Sequence, residues 1–110
     1  VGVMNVFEQA AKHEVKRFIF SSTCAIFGDK VAPPIAEDAP KNPINPYGES
    51  KLCFERALEW NRRLSGLSYF ALRYFNACGA DPQGRAGERH EPETHLIPLA
   101  LAATKPHSSR

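Results

Sequence analysis

The sequence predicts an α/β fold, part of a doubly wound parallel sheet that this chain leaves incomplete. Three observations predict it. Two short runs, Arg17 to Ser22 and Leu67 to Tyr74, have strand length and an aromatic or β-branched character. A helical pattern from Pro46 to Ser65 separates them, and only Gly66 joins that helix to the second run. A strand-helix-strand order with so short a return implies a parallel pair with a right-handed crossover. Finally, 110 residues with 43% hydrophobic, 24% charged and a formal net charge of +2 are the composition of one ordinary globular unit, which excludes disorder, collagen and coiled coil.

The elements follow in order. Val3, Val6, Phe7, Ala10 and Ala11 keep the 3.6-residue period, so residues 1 to 13 form an amphipathic helix that fades at Lys12 and His13. The chain starts inside this pattern at Val1 with no capping residue ahead, as expected of a piece of something longer. A tight turn, Glu14 to Lys16, leads into Arg17 to Ser22, whose apolar run reads as a strand covered on both faces and ends in hydroxyls. Residues 24 to 46 hold Pro33, Pro34, Pro40, Pro43 and Pro46 and form a long loop, a feature that in compact domains usually serves function. Asn45 offers a side-chain oxygen as helix cap and Pro46 a preset φ, so a second helix starts there. Its stripe is Cys53, Ala57, Trp60 and Leu64, and Gly66 stands where a left-handed terminal residue is wanted. After the second strand, Asn76 to Glu93 is rich in Gly, Pro and charge and reads as loop. Thr94 or His95 then caps a third helix, Leu96 to Ala103, with Pro98 in its first turn.

Several function classes drop out. No apolar run approaches the ~20 residues of a membrane span, and the first residues lack the marks of a secretion signal. A cytoplasmic setting is the expectation. Cys24, Cys53 and Cys78 form no C-x-x-C and read as buried small residues in a reducing compartment. No run of Lys or Arg marks a nucleic-acid surface. A metal site from Cys78, His90 and His95 fits no common zinc spacing, so no metal is expected.

Open parallel sheets bind ligands beyond the carboxyl ends of their strands. Three features meet there. Ser21-Ser22-Thr23 places hydroxyls at the first strand end, either to hydrogen-bond a substrate or simply to form a turn or cap. In Tyr47-Gly48-Glu49-Ser50-Lys51 the phenol and the ammonium stand at i and i+4 on one helix face, either as an ordinary exposed face or as a proton carrier. An adjacent ammonium favours phenolate over phenol, which is what a tyrosine base needs. Arg73-Tyr74-Phe75-Asn76 ends the second strand in an amide that binds a ligand oxygen or shapes a turn.

Together with Phe18 to Gly28, Asn42 to Lys51, Leu72 to Asn76 and Glu93 to Pro98, these residues resemble the extended short-chain dehydrogenase/reductase family, in its NAD-dependent epimerase/dehydratase branch. The order and spacing of these stretches cover nearly the whole chain. The resemblance implies a Rossmann-like fold, NAD as cofactor and C4 epimerisation of a UDP-sugar, interconverting UDP-glucose and UDP-galactose through a transient 4-keto sugar. It implies Tyr47 as the acid/base on the 4-hydroxyl, Lys51 as holder of the nicotinamide ribose and promoter of the phenolate, and Thr23 as hydrogen-bond partner of the reacting oxygen. Phe75 then lies along the NAD site, while Asn76, His95 and Leu96 fall where the family holds the nucleotide sugar, the last two largely by backbone. Residues 1 to 76 correspond to the C-terminal half of the NAD-binding domain and 77 to 110 to the start of the substrate-binding region. A homodimer, through the helices of residues 1 to 13 and 46 to 65, is the expected partner state.

Phe27 and Ala77 stand where relatives often carry tyrosine and proline. Dehydratases of the branch usually follow the threonine with Asp-Glu, and Cys24-Ala25 here favours the epimerase over a 4,6-dehydratase or decarboxylase. A non-catalytic Rossmann-like binding module is the rival from another class; the intact Thr23, Tyr47 and Lys51 speak against it. The seven glycines nowhere form a G-x-G-x-x-G phosphate loop. The expectation is therefore that this chain carries the catalytic groups without most of either binding site, and is inactive and marginally stable alone.

Overall fold

The computed structural model describes residues 2–88 and 90–104. It divides into a first unit ending at Phe75 and a second beginning at Asn76. The first unit holds α1 (Gly2–Lys12), β1 (Arg17–Thr23), a single 3₁₀ turn (Cys24–Phe27), α2 (Pro46–Ser65) and β2 (Ser68–Tyr74); the second holds α3 (Leu96–Ala103).

β1 and β2 form a parallel two-stranded sheet, paired from Arg17 with Ser68 to Thr23 with Tyr74. Both strands therefore end level with each other, which brings their carboxyl ends to one place. The connection is the loop and α2. Asn45 caps α2 by accepting a hydrogen bond from the Gly48 amide at 2.8 Å, Pro46 takes the first helical position, and Gly66 closes the helix at φ 72°. α1 stops differently. Glu14 adopts a left-handed φ of 53° while the amides of Glu14 and Val15 return to the carbonyls of Ala11 and Ala10, the double bond pattern of a Schellman ending without its usual glycine.

The core lies between one sheet face and the two helices. Phe7, Phe20, Phe54, Leu58 and Leu67 are buried together, with Phe18, Tyr69 and Ala71 packed against them. Phe7 meets Phe18 and Phe54 edge to face, with centroids 5.4 and 5.6 Å apart. A second cluster, Ile26, Phe27 and Leu52, gathers Val31, Ile35 and Ala39 beneath the proline-rich loop and orders it.

Three expectations are corrected. The inward face of α2 is Gly48, Leu52, Phe54, Glu55 and Leu58, whereas Trp60 is 63% and Leu64 83% exposed and Cys53 is exposed too. The helix carries apolar residues on two sides, and the inward side includes a glutamate that a hydrophobic stripe passes over. The cysteines are not buried: Cys24 is half-buried, Cys53 and Cys78 exposed. β1 is covered on one face only, because Phe20 is buried while Ile19, on the opposite face, is 70% exposed.

In the second unit, Ala80 and Gly87 bridge across a turn in which the Asp81 carboxylate accepts from the Arg85 backbone and guanidinium. His95 occupies the cap position of α3, but its side chain makes no cap hydrogen bond; instead the Glu93 carboxylate accepts from the amides of Thr94 and His95. Pro98 sits in the first turn of α3. Among the described residues, no helix is long and apolar enough to cross a membrane.

Candidate active site

Tyr47 and Lys51 lie one turn apart at the start of α2, and the lysine reaches across to the end of β1. Its Nζ donates to the Ser21 carbonyl at 2.8 Å and stands 5.0 Å from the centre of the Phe20 ring and 5.6 Å from that of Tyr47. Tyr47 is 55% exposed, so its hydroxyl is open to a ligand. The helix face, the strand end and the two side chains are thus one local cluster.

Glycine at position 48 permits this closeness. A Cβ there would come to 2.6 Å from the Ala25 carbonyl oxygen and 3.0 Å from Pro43 Cβ. The first turn of α2 therefore packs backbone to backbone on the turn that follows β1. Gly28 serves the same end of the molecule, since at φ 73° a side chain would run into the Asn42 carbonyl just before α2 begins.

Thr23 is buried, and its hydroxyl oxygen accepts from the Ala25 amide at 3.2 Å, capping the 3₁₀ turn. The capping alternative is realised, yet the threonine O–H donates to no described residue and keeps its proton available. Ser22 is committed elsewhere. Its hydroxyl donates to Glu55 Oε1 at 2.6 Å, and Glu55 also receives Nε and Nη2 of Arg73 at 3.0 and 2.8 Å. Arg73 Nη1 donates to the Glu37 carbonyl at 2.9 Å, and the guanidinium lies 5.4 Å from the Phe27 ring centre.

Burial alone would raise the Glu55 carboxyl, but the hydrogen bonds from Arg73 and Ser22 outweigh it and hold the group below its ordinary range. The same carboxylate raises Arg73. Along α2, Glu59 is pulled down to about 2 by hydrogen bonds from Arg62 and Arg63, whereas burial, with Glu59 as hydrogen-bond partner, raises Tyr69. Sequence reasoning missed the Ser22–Glu55–Arg73 network. One signal was present: Glu55 continues the spacing of Tyr47 and Lys51 by one further turn.

Phe75, 67% exposed, follows β2 in the first unit. Asn76, His95 and Leu96 belong to the second unit, Asn76 and Leu96 exposed and His95 half-buried. His95 Nδ1 lies 2.9 Å from Glu93 Oε1, and the His95 backbone bond to that carboxylate is the largest influence holding Glu93 low. His90 stacks obliquely on His95 and pairs with Glu88 at 3.2 Å. The group that lies together is Glu88, His90 and His95, without Cys78.

The sequence matches the NAD dependent epimerase/dehydratase family over residues 1–107. The chain belongs to that family. It is 50% identical over 101 residues to the UDP-glucose 4-epimerase of Halalkalibacterium halodurans, covering 92% of this chain and 30% of that protein. The fold is similar to the crystal structure of UDP-glucose 4-epimerase from Brucella ovis in complex with NAD, with a TM-score of 0.77 and 47% identity over 93% of this chain and 31% of that one. The Bifidobacterium longum UDP-glucose 4-epimerase in complex with NAD+ and UDP is similar at a TM-score of 0.68 and 38% identity, over 74% of this chain and 25% of that one. The chain thus spans about 30% of the length of the first relatives it matches. Parallel strands with an intervening helix give it an incomplete Rossmann-like α/β fold.

Proposed function

We propose that the whole protein is an NAD-dependent UDP-glucose 4-epimerase, interconverting UDP-glucose and UDP-galactose, and that this chain carries its catalytic segment. The observation that carries the reading is the Lys51 ammonium held between the Ser21 carbonyl and the ring of a solvent-open Tyr47. Residues 1 to 76 then belong to the NAD-binding domain, and 77 to 110 begin the substrate-binding region.

The residues present fit one end of the cofactor. An ammonium has three N–H donors, and Lys51 uses one on Ser21, leaving others for ribose hydroxyls. Phe75 offers an open aromatic face beyond β2. The sequence holds no glycine-rich loop for a diphosphate, so the remainder of the dinucleotide needs residues outside this chain.

When bound, NAD supplies the acceptor and returning donor of hydride at C4 of the sugar. Tyr47 takes the 4-hydroxyl proton at its phenol oxygen and gives it back after the 4-keto sugar has turned its other face. Lys51 sets its positive charge beside that oxygen, which is anionic before it takes the proton and again after it returns it, while its bond to Ser21 keeps it from swinging away. Thr23 directs its uncommitted O–H at the reacting sugar oxygen. Asn76, His95 and Leu96 hold the UDP-sugar, His95 and Leu96 through their backbone. The outward apolar side chains of α1 and α2, among them Val6, Trp60 and Leu64, support a homodimer of the whole protein through these helices.

The test is conversion of UDP-galactose by the whole protein, wild type beside Tyr47→Phe. Loss of the phenol should lower kcat by about 10²- to 10⁴-fold. Equal rates would remove Tyr47 from the chemistry. A 4-keto-6-deoxy product would make the protein a dehydratase, and NAD bound without turnover would make it a binding module.

A further inference from the structure

The Ser22–Glu55–Arg73 network has no part in the chemistry just described, yet it ties a buried carboxylate of α2 to both strands. Glu55 is 6% exposed and accepts three hydrogen bonds from two strands. A buried carboxylate is costly unless it is paired, and a pair of well-packed apolar residues would hold two strands and a helix together as well or better. The ion pair's placement gives it a use that apolar packing lacks. Glu55 is the third member of the helix face that begins with Tyr47 and Lys51. Ser22 immediately precedes Thr23, and Arg73 stands two residues before Phe75. Its remaining arm reaches the Glu37 carbonyl in the loop that leads to Asn45 and α2.

We infer that Glu55 is a positioning residue for the proposed reaction: through Ser22 and Arg73 it fixes the Tyr47–Lys51 face of α2, in height and rotation, against the ends of β1 and β2. Hydrophobic contacts are non-directional and let a helix slide by fractions of an ångström at little cost. The paired bonds from Arg73 and the short bond from Ser22 have defined directions and lengths. Together with Lys51 on the Ser21 carbonyl, they give two anchors one helical turn apart on consecutive residues of β1. Displacement of a reacting group by about 1 Å is enough to cost 10²-fold in rate. The inference rests on the epimerase reading for its rate measurement, but not for its geometric one.

The experiment compares wild type, Glu55→Gln, Glu55→Ala and Ser22→Ala in the whole protein, with kcat expressed per NAD-loaded site so that unfolded molecules do not count. Glu55→Gln, which keeps shape and an acceptor for Ser22, should lower kcat by about 10-fold, and Glu55→Ala by about 100-fold, with KM for UDP-galactose changed less than about 3-fold. The partial rescue by glutamine is the signature of positioning. A residue with a merely structural role would lower the folded fraction and leave kcat per loaded site unchanged, and that result overturns the inference. Ser22→Ala combined with Glu55→Ala should be less than additive in kcat, since Glu55→Ala already removes the acceptor of the Ser22 hydroxyl; full additivity overturns it as well. A wild type inactive on UDP-galactose would sink the epimerase reading alone. Crystal structures then decide the inference without turnover: α2 of Glu55→Gln shifted or turned relative to Thr23 upholds it, and α2 superposing on the wild type overturns it.

Discussion

At the scale of single residues, two kinds of hydroxyl and two kinds of charge sit within one short stretch and do different work. Ser22 and Thr23 are neighbours, yet one is bound to a buried carboxylate and the other caps a turn, its O–H donating to none of the described residues. Lys51 bonds a backbone carbonyl, so its position survives changes in neighbouring side chains; Arg73 is held by a carboxylate, so its position depends on pH. Glu55 faces Ser22 of β1, Arg73 of β2 and the more distant Lys41 of the loop, and its carboxyl lies below the ordinary 4.5 in the folded protein. A group depressed in this way adds stability that is complete above the unfolded value and is lost as pH falls through the folded one. The whole protein should therefore lose stability below about pH 4.5 with a component that Glu55→Gln lacks. Thermal melts of both from pH 7 down to pH 3 should show the variant less stable by about 1–2 kcal/mol at neutral pH, with the gap closing in acid. A gap that stays constant across the range would show that this carboxylate is not the titrating group.

At the scale of elements, the junction between the 3₁₀ turn and α2 decides where the face bearing Tyr47 and Lys51 stands. Asn45 and Pro46 start the helix at a defined residue, and both signals are legible in the sequence because capping depends on local chemistry alone. The absence of a Cβ at Gly48 lets the first turn rest on Ala25, a contact between residues 23 apart that no local pattern contains. Gly48→Ala is therefore expected to push the first turn of α2 away from Ala25 and Pro43 despite alanine's better helix propensity, costing about 1–3 kcal/mol through overpacking. The urea midpoint of the whole protein should fall, and turnover of UDP-galactose should fall more than folding does. An alanine variant as stable as wild type would show that the neighbouring backbone yields freely. The α2 stripe expected from periodicity failed for a related reason: a helix with apolar residues on two sides offers two candidate faces, and only its partners choose between them.

At the scale of the whole molecule, the described residues form a sheet of two strands, and one face carries Ile19, Phe70 and Leu72 in the open, the first two each 70% exposed. A parallel sheet is normally covered on both sides. Covering each such side chain is worth about 1.5–3 kcal/mol, an amount this chain alone forgoes. Expressed on its own, the chain should bind a hydrophobic dye such as ANS, melt without a cooperative transition and aggregate at micromolar concentration. A single sharp calorimetric transition without dye binding would contradict this.

The sequence by itself determined the three helices and two strands, the ends of α2 and α3, the parallel order of the strands and the grouping of Tyr47 and Lys51, because each follows from periodicity, caps or spacing within about 20 residues of chain; the 3₁₀ turn at Cys24–Phe27 it left within a loop. It also carried the family, through the joint order of four stretches. The tertiary structure alone decided that Ser22 answers to Glu55 rather than to a ligand, that a glutamate and not Trp60 faces inward, that the cysteines are not core residues and that one sheet face is bare. These are long-range matters: which side of a helix or strand is covered depends on partner surfaces and on charge neutralisation across β1, α2 and β2, and neither is encoded within any single element.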